Sequence, residues 1–106
     1  MEKFHGVQIS GIGTCVPDRV LTNEELERMV DTSDEWIVQR TGIKERRVAG
    51  EEEYAGDLCA GAVENMRERY GVRLEDVDAI IVCTTTPDYA FPSVAAQIQA
   101  KFRIRQ

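Results

Sequence analysis

Trp36 and Arg40 stand four residues apart in the run Asp31-Thr32-Ser33-Asp34-Glu35-Trp36-Ile37-Val38-Gln39-Arg40-Thr41-Gly42-Ile43, and Trp36 is the only tryptophan of the chain. On a helix that spacing puts both side chains on one face. A flat indole can stack on a nucleotide base while a neighbouring guanidinium contacts a phosphate, a pairing that a helix needed only for packing does not require. Lys44, Arg46 and Arg47 follow as a compact basic stretch before Glu51-Glu52-Glu53 reverses the sign. A solvated loop and a phosphate-contacting loop are about equally good accounts of it. The other reactive side chains are sparse. Three cysteines, Cys15, Cys59 and Cys83, are an odd set with wide spacing and no histidine cluster, which indicates neither a disulfide framework nor a zinc site. They are expected to be reduced and mostly buried. His5, the sole histidine, reads as a solvated or strand-flanking residue and not as a catalytic one.

The elements that must position these residues follow from local pattern. Val7, Ile9 and Ile12, with Gly11 and Gly13, read as a first strand running into a turn at Pro17-Asp18. Gly11-Ile12-Gly13 is not a dinucleotide loop, because the third glycine is missing and Pro17 intrudes where the helix should start. Glycines at points of close backbone packing are the better reading. Thr22 and Glu25 form a capping box ahead of Leu26, Met29 and Val30, which predicts a short helix with one apolar face. Thr32 and Glu35 repeat the box for the Trp36 helix, and Gly42 is placed to end it in a left-handed conformation. Leu58, Ala62, Met66 and Tyr70 fall at helical spacing before Gly71, with Met66 and Tyr70 expected in the core. Ala79-Ile80-Ile81-Val82-Cys83-Thr84-Thr85 is a nearly continuous β-forming run of the kind covered on both faces, predicting a central parallel strand. Beyond it, Thr86-Pro87-Asp88-Tyr89-Ala90-Phe91-Pro92 is a binding candidate by position, since ligands in open α/β sheets lie past the carboxyl ends of strands. Ser93 caps a last helix whose Val94, Ile98 and Phe102 share a face.

With 106 residues, 42% of them hydrophobic, the chain can form one small domain or a piece of one. A formal charge of −6 argues against a nucleic-acid partner, whose phosphates demand a basic face. No apolar run approaches the roughly 20 residues of a membrane span, and Met1-Glu2-Lys3-Phe4-His5 leads into a strand and not a signal-peptide core. A cytoplasmic location without membrane contact is expected. The order strand, helices, strand, helix implies an α/β layer with a right-handed crossover. Two confident strands cannot bury their own faces well, so the chain is expected to be the opening portion of a larger domain.

The Trp36 segment, together with Gly11-Ile12-Gly13, Ala90-Phe91-Pro92-Ser93 and Gln97-Ile98-Gln99, resembles β-ketoacyl-acyl carrier protein synthase III over nearly the whole chain. The resemblance implies an α/β, thiolase-like fold of layered helices about a central, mostly parallel sheet. Residues 1–106 would be the N-terminal portion of its first half, and the whole enzyme a homodimer. It implies initiating decarboxylative condensation of an acyl-coenzyme A starter with malonyl-acyl carrier protein. Acyl-coenzyme A is then a substrate, and no cofactor is expected. By match to the family pattern, Trp36 would stack on the adenine of coenzyme A, Thr32 would hydrogen-bond near that base and Arg40 would engage the phosphates. Thr85 and Phe91 would line the acyl pocket, Phe91 reaching the site of the other subunit. By the resemblance, none of the family's cysteine, histidine and asparagine lies in this chain, and none of its own cysteines has the strand-to-helix setting that would activate a thiol. The resemblance therefore assigns it no catalytic residue. Arg103 departs from the family's usual glycine, which puts the end of the last helix in doubt. A related acyltransferase or secondary-metabolic condensing enzyme, and a free-standing coenzyme A-binding module without catalysis, are the alternatives.

Overall fold

A computed structural model describes residues 6–105, so the expectations for Met1 to His5 and for Gln106 lie outside the described residues. The chain divides into two compact units, one of residues 16–54 and one joining the N-terminal residues through Cys15 to those from Ala55 onward.

In the unit of residues 16–54, strand β1 (Arg19–Thr22) leads directly into helix α1 (Asn23–Met29), followed by helix α2 (Asp34–Thr41) and strand β2 (Glu45–Val48). The strands pair antiparallel, with Arg19 opposite Val48 and Thr22 opposite Glu45. Neither strand follows from apolar alternation: the expected basic loop is β2, and its arginines are engaged. Arg46 donates to the Leu21 carbonyl at 3.2 Å and to Asn23 Oδ1 at 2.7 Å, and Arg47 donates to the Pro17 carbonyl at 2.9 Å. Of the three cations, two are thereby committed within the unit, so for Arg46 and Arg47 neither the solvated loop nor the phosphate-contacting loop holds: they sit on a paired strand and bond to neighbouring oxygens.

The Thr22–Glu25 capping box forms as expected, Thr22 Oγ1 accepting from the Glu25 amide at 3.3 Å and Glu25 accepting from the Thr22 amide at 2.9 Å. These bonds to Thr22 hold the Glu25 carboxyl below its ordinary range, reinforced by Arg19 and Arg28 and against a partial desolvation. The apolar face expected of α1 is incomplete, since Leu26 is half-buried while Met29 and Val30 are exposed. The second capping box does not form. Ser33, one residue later than Thr32, caps α2 by accepting from the Trp36 amide at 3.2 Å, and Gly42 ends that helix at φ 71° as expected.

Asn23 ties this unit together. It is 1% exposed, and every polar group of its side chain is used: Nδ2 donates to Asp34 Oδ1 at 2.7 Å and to the Ile43 carbonyl at 2.8 Å, while Oδ1 accepts from Arg46. Its own amide donates to the Lys44 carbonyl at 3.1 Å, just past the end of the strand pairing. Full burial of an amide is tolerated because no donor or acceptor is left unpaired.

In the other unit, helix α3 (Ala55–Tyr70) packs on helix α4 (Val94–Phe102), with a short 3-10 turn at Leu74–Asp76 between them. Ala60, Val94 and Ile98 are buried, and Cys59, Val63, Ile80, Val82 and Phe102 pack on them. Ser93 caps α4 as expected. The β-forming run behaves differently from expectation. Ile80 and Val82 face the helices, whereas Ile81 is 88% exposed and Cys83 is exposed, so the run is covered on one face and not on both. Among the described residues neither this run nor residues 7–13 belongs to a sheet ladder, the one sheet being the β1–β2 pair. A β-forming segment becomes a strand only when a neighbour supplies the opposing amides and carbonyls. The expectation of mostly buried cysteines also fails, Cys15 and Cys83 being exposed and Cys59 intermediate.

Residues 11–14 lie along α3. The Thr14 amide donates to Asn65 Oδ1 at 3.0 Å and Arg69 donates to the Ile12 carbonyl at 3.3 Å. A Cβ on Gly13 would collide with the Ala62 carbonyl and fall 2.7 Å from Met66 Cβ, so the glycine marks close packing of backbone on backbone, as the sequence indicates. Met66 is half-buried here, while Tyr70 is 47% exposed and only skirts the packing. The end of α4 settles the question raised by Arg103. Arg103 adopts φ 53°, its amide bonds to the Ala100 carbonyl at 3.2 Å, and the Ile104 amide reaches back to Gln99 at 3.0 Å. That is a Schellman-type stop built with a residue that pays the left-handed penalty glycine avoids.

Two outcomes follow for the intact protein. Asn23→Ala leaves the Asp34 carboxylate, the Ile43 carbonyl and the Arg46 guanidinium short of a partner and should cost about 3 kcal/mol, read by urea denaturation followed through Trp36 fluorescence. Arg103→Gly should raise stability by about 0.5–1 kcal/mol, measured as a shift in the urea midpoint at unchanged slope.

Candidate nucleotide-handle site

Helix α2 is short, and isolated helices of its length are marginal in water, so its position depends on the groups at its ends. At the N-terminus the Ser33 hydroxyl takes the Trp36 amide, Glu27 accepts from the Asp34 amide at 2.5 Å, and Asn23 holds the Asp34 side chain. At the C-terminus Thr41 Oγ1 donates to the Ile37 carbonyl at 2.7 Å and accepts from the Ile43 amide at 3.0 Å. Ile37 is the buried contact of the helix. Trp36 and Arg40, flanking it around the helix, are exposed.

Trp36 is 56% exposed, unusual for the largest apolar side chain, and the Arg40 guanidinium carbon stands 5.6 Å from its ring centroid. This is cation–π distance, worth about 0.5–1 kcal/mol at an exposed site. The indole and the guanidinium thus lie against each other at the surface. Beside them Asp31, Thr32, Ser33 and Trp36 line an open depression of about 330 Å³. Thr32 and Trp36, singled out separately from the sequence, therefore line one hollow, with Arg40 at the indole. The hollow can accept a flat ring against the indole and a hydrogen-bonding edge against Thr32, with a cation within one helical turn.

Thr85 and Phe91 fall in the other unit. Thr85 is exposed and Phe91 is 90% exposed. A depression of about 240 Å³ beside them is lined by Val82, Thr84, Pro87, Tyr89, Ala90, Ser93, Val94 and Ala95, and includes neither. The described residues therefore do not gather these two into a pocket. Residues that the sequence reading missed are Asn23, Glu27 and Asp34. A polar side chain in the first turn of a helix ordinarily signals solvent or dipole complementarity, and nothing in local spacing marks Asn23 as buried.

No protein-family model matches the chain. It is 61% identical over 97 residues to β-ketoacyl-[acyl-carrier-protein] synthase III 2 of Bacillus anthracis, covering 92% of this chain and 30% of that protein. To the protein of the same name from Bacillus subtilis it is 58% identical over 95 residues, covering 90% and 29%. Among solved structures, β-ketoacyl-[acyl carrier protein] synthase III from Thermus thermophilus superposes with a TM-score of 0.86 at 55% identity, over 92% of this chain and 30% of that one. The chain thus spans about 30% of the length of the relatives it matches. High identity and a shared backbone along nearly all of its length make the chain similar, in sequence and in its thiolase-like fold, to the N-terminal portion of the β-ketoacyl-acyl carrier protein synthases III.

Proposed function

We propose that the chain is the N-terminal portion of an initiating condensing enzyme of fatty acid synthesis, and that it supplies the grip on the nucleotide handle of an acyl-coenzyme A starter. The observation that carries this reading is the exposed, pre-stacked Trp36–Arg40 pair on a helix fixed at both ends, in a chain 61% identical to a synthase III over 97 residues. The adenine would stack on the indole face that Arg40 leaves open, with Thr32 hydrogen-bonding at its edge. The Asp31 carboxylate on the rim would turn phosphates away from that end and toward Arg40.

In the whole enzyme a cysteine thiolate attacks the acyl thioester, expelling coenzyme A as its thiol and forming an acyl-cysteine. Malonyl-acyl carrier protein then loses carbon dioxide, and the resulting enolate attacks the acyl-cysteine, releasing the thiolate and giving 3-oxoacyl-acyl carrier protein. The residues of this chain serve the first step by binding and orienting the starter. Thr85 and Phe91 would form part of the acyl pocket wall, where an apolar ring limits starter size. The exposure of Phe91 here supports a ring that reaches the site of the partner subunit in a homodimer, which we place in the cytoplasm.

In the longer protein, Trp36→Ala should raise the Michaelis constant for acyl-coenzyme A by about tenfold or more while leaving that for malonyl-acyl carrier protein within about twofold. Arg40→Ala should act in the same direction. An unchanged starter constant in Trp36→Ala would reject the cradle, and no carbon dioxide release from malonyl-acyl carrier protein by the parent enzyme would reject the condensing reaction itself.

A further inference from the structure

The loop after the β-forming run carries its two aromatic rings almost bare. Tyr89 is 63% exposed and Phe91 is 90% exposed, so their packing does not fix the loop. Its ends are held locally, the Thr86 amide donating to Thr84 Oγ1 at 3.1 Å and Gln97 donating to the Pro92 carbonyl at 3.1 Å. In the middle, one side chain reaches away from the loop: half-buried Asp88 accepts from the Gly56 amide through Oδ1 at 2.8 Å.

Gly56 is the second residue of α3, so its amide is among those the helix itself cannot satisfy. A carboxylate there also meets the positive end of the helix dipole. The fit is shaped on both sides. A Cβ on Gly56 would stand 2.5 Å from Asp88 Oδ2 and 3.3 Å from its Cγ, so the absence of a side chain at residue 56 makes room for the carboxylate. The cap comes from 32 residues further along the chain, which ties the start of a 16-residue helix to the middle of the loop.

We propose that Asp88 is a positioning residue: by capping α3 at Gly56 it pins the 86–92 loop and fixes where Phe91 stands, and so takes part in starter selection. The proposal rests on the reading of Phe91 as an acyl-pocket residue. Asp88 touches no reacting group in this scheme and acts through the loop.

The test compares Asp88→Ala, Asp88→Asn, Gly56→Ala and Phe91→Ala in the full-length enzyme, with two readouts. Hydrogen exchange over residues 86–91 should quicken by about tenfold in Asp88→Ala and Gly56→Ala, as expected for loss of a helix cap. The ratio of kcat/KM for acetyl- and isobutyryl-coenzyme A should shift by about fivefold in both, in the direction that Phe91→Ala shifts it. Asp88→Asn keeps an accepting oxygen and should stay within about twofold of the parent on both readouts, a rescue that a purely electrostatic role would not give. Should Asp88→Ala fail to fold, Gly56→Ala carries the same comparison. Unchanged exchange overturns the proposal, and so does quickened exchange with an unchanged ratio while Phe91→Ala shifts it. If Phe91→Ala itself leaves the ratio unaltered, the pocket reading fails, and exchange alone decides whether Asp88 holds the loop.

Discussion

One buried amide governs the unit that carries the tryptophan. A two-stranded sheet and two short helices are each marginal alone, and Asn23 joins them by bonding to Asp34 at the head of α2, to Ile43 just past its end and to Arg46 on β2. The bonds thus clasp α2 at both ends and tie it to β2. The unit thereby acquires a rigid polar centre in place of a large apolar one, with Ile37 the buried hydrophobic side chain of α2. This network fixes in place the helix that carries Trp36 and Arg40, and under the proposed reading a preordered α2 lowers the ordering cost of binding.

The second unit is organised by close approach. Its buried apolar residues are few and mostly small or medium-sized, and the N-terminal segment reaches α3 through a glycine whose missing side chain lets backbone meet backbone. Val7, Ile9 and Ile81 remain almost wholly exposed. Apolar surface on that scale is the ordinary mark of a face that packs on something else, and it agrees with a chain that spans about 30% of its relatives.

Much of this architecture is legible in the sequence where a local rule decides the outcome. The Thr22–Glu25 box, the glycine stop at Gly42, the Ser93 cap and the Val94, Ile98 and Phe102 stripe all form, because each depends on residues within a few positions. The Thr32–Glu35 box misleads by one residue, since adjacent Thr32 and Ser33 both offer a hydroxyl and tertiary contacts choose between them. Strands β1 and β2 are illegible: Glu45-Arg46-Arg47-Val48 is mostly charged and owes its pairing to the non-local partners of its arginines. The run from Ala79 to Thr85 shows the converse. Its composition is right for a strand, but no composition says which neighbours are at hand. Of the candidate site, Trp36 and Arg40 stand out by residue type and spacing and Thr32 by the family resemblance, whereas Asn23 and Glu27, which hold their helix, emerge only from geometry.

The commitment of Arg46 and Arg47 to carbonyls within their own unit changes how this stretch can be probed. An acidic protein partner would look for unspent cations, and of this basic trio the structure leaves Lys44 as the residue without such a commitment. Charge-reversal scanning for an acidic partner would at these two arginines report the collapse of a strand pairing and be mistaken for a broken encounter.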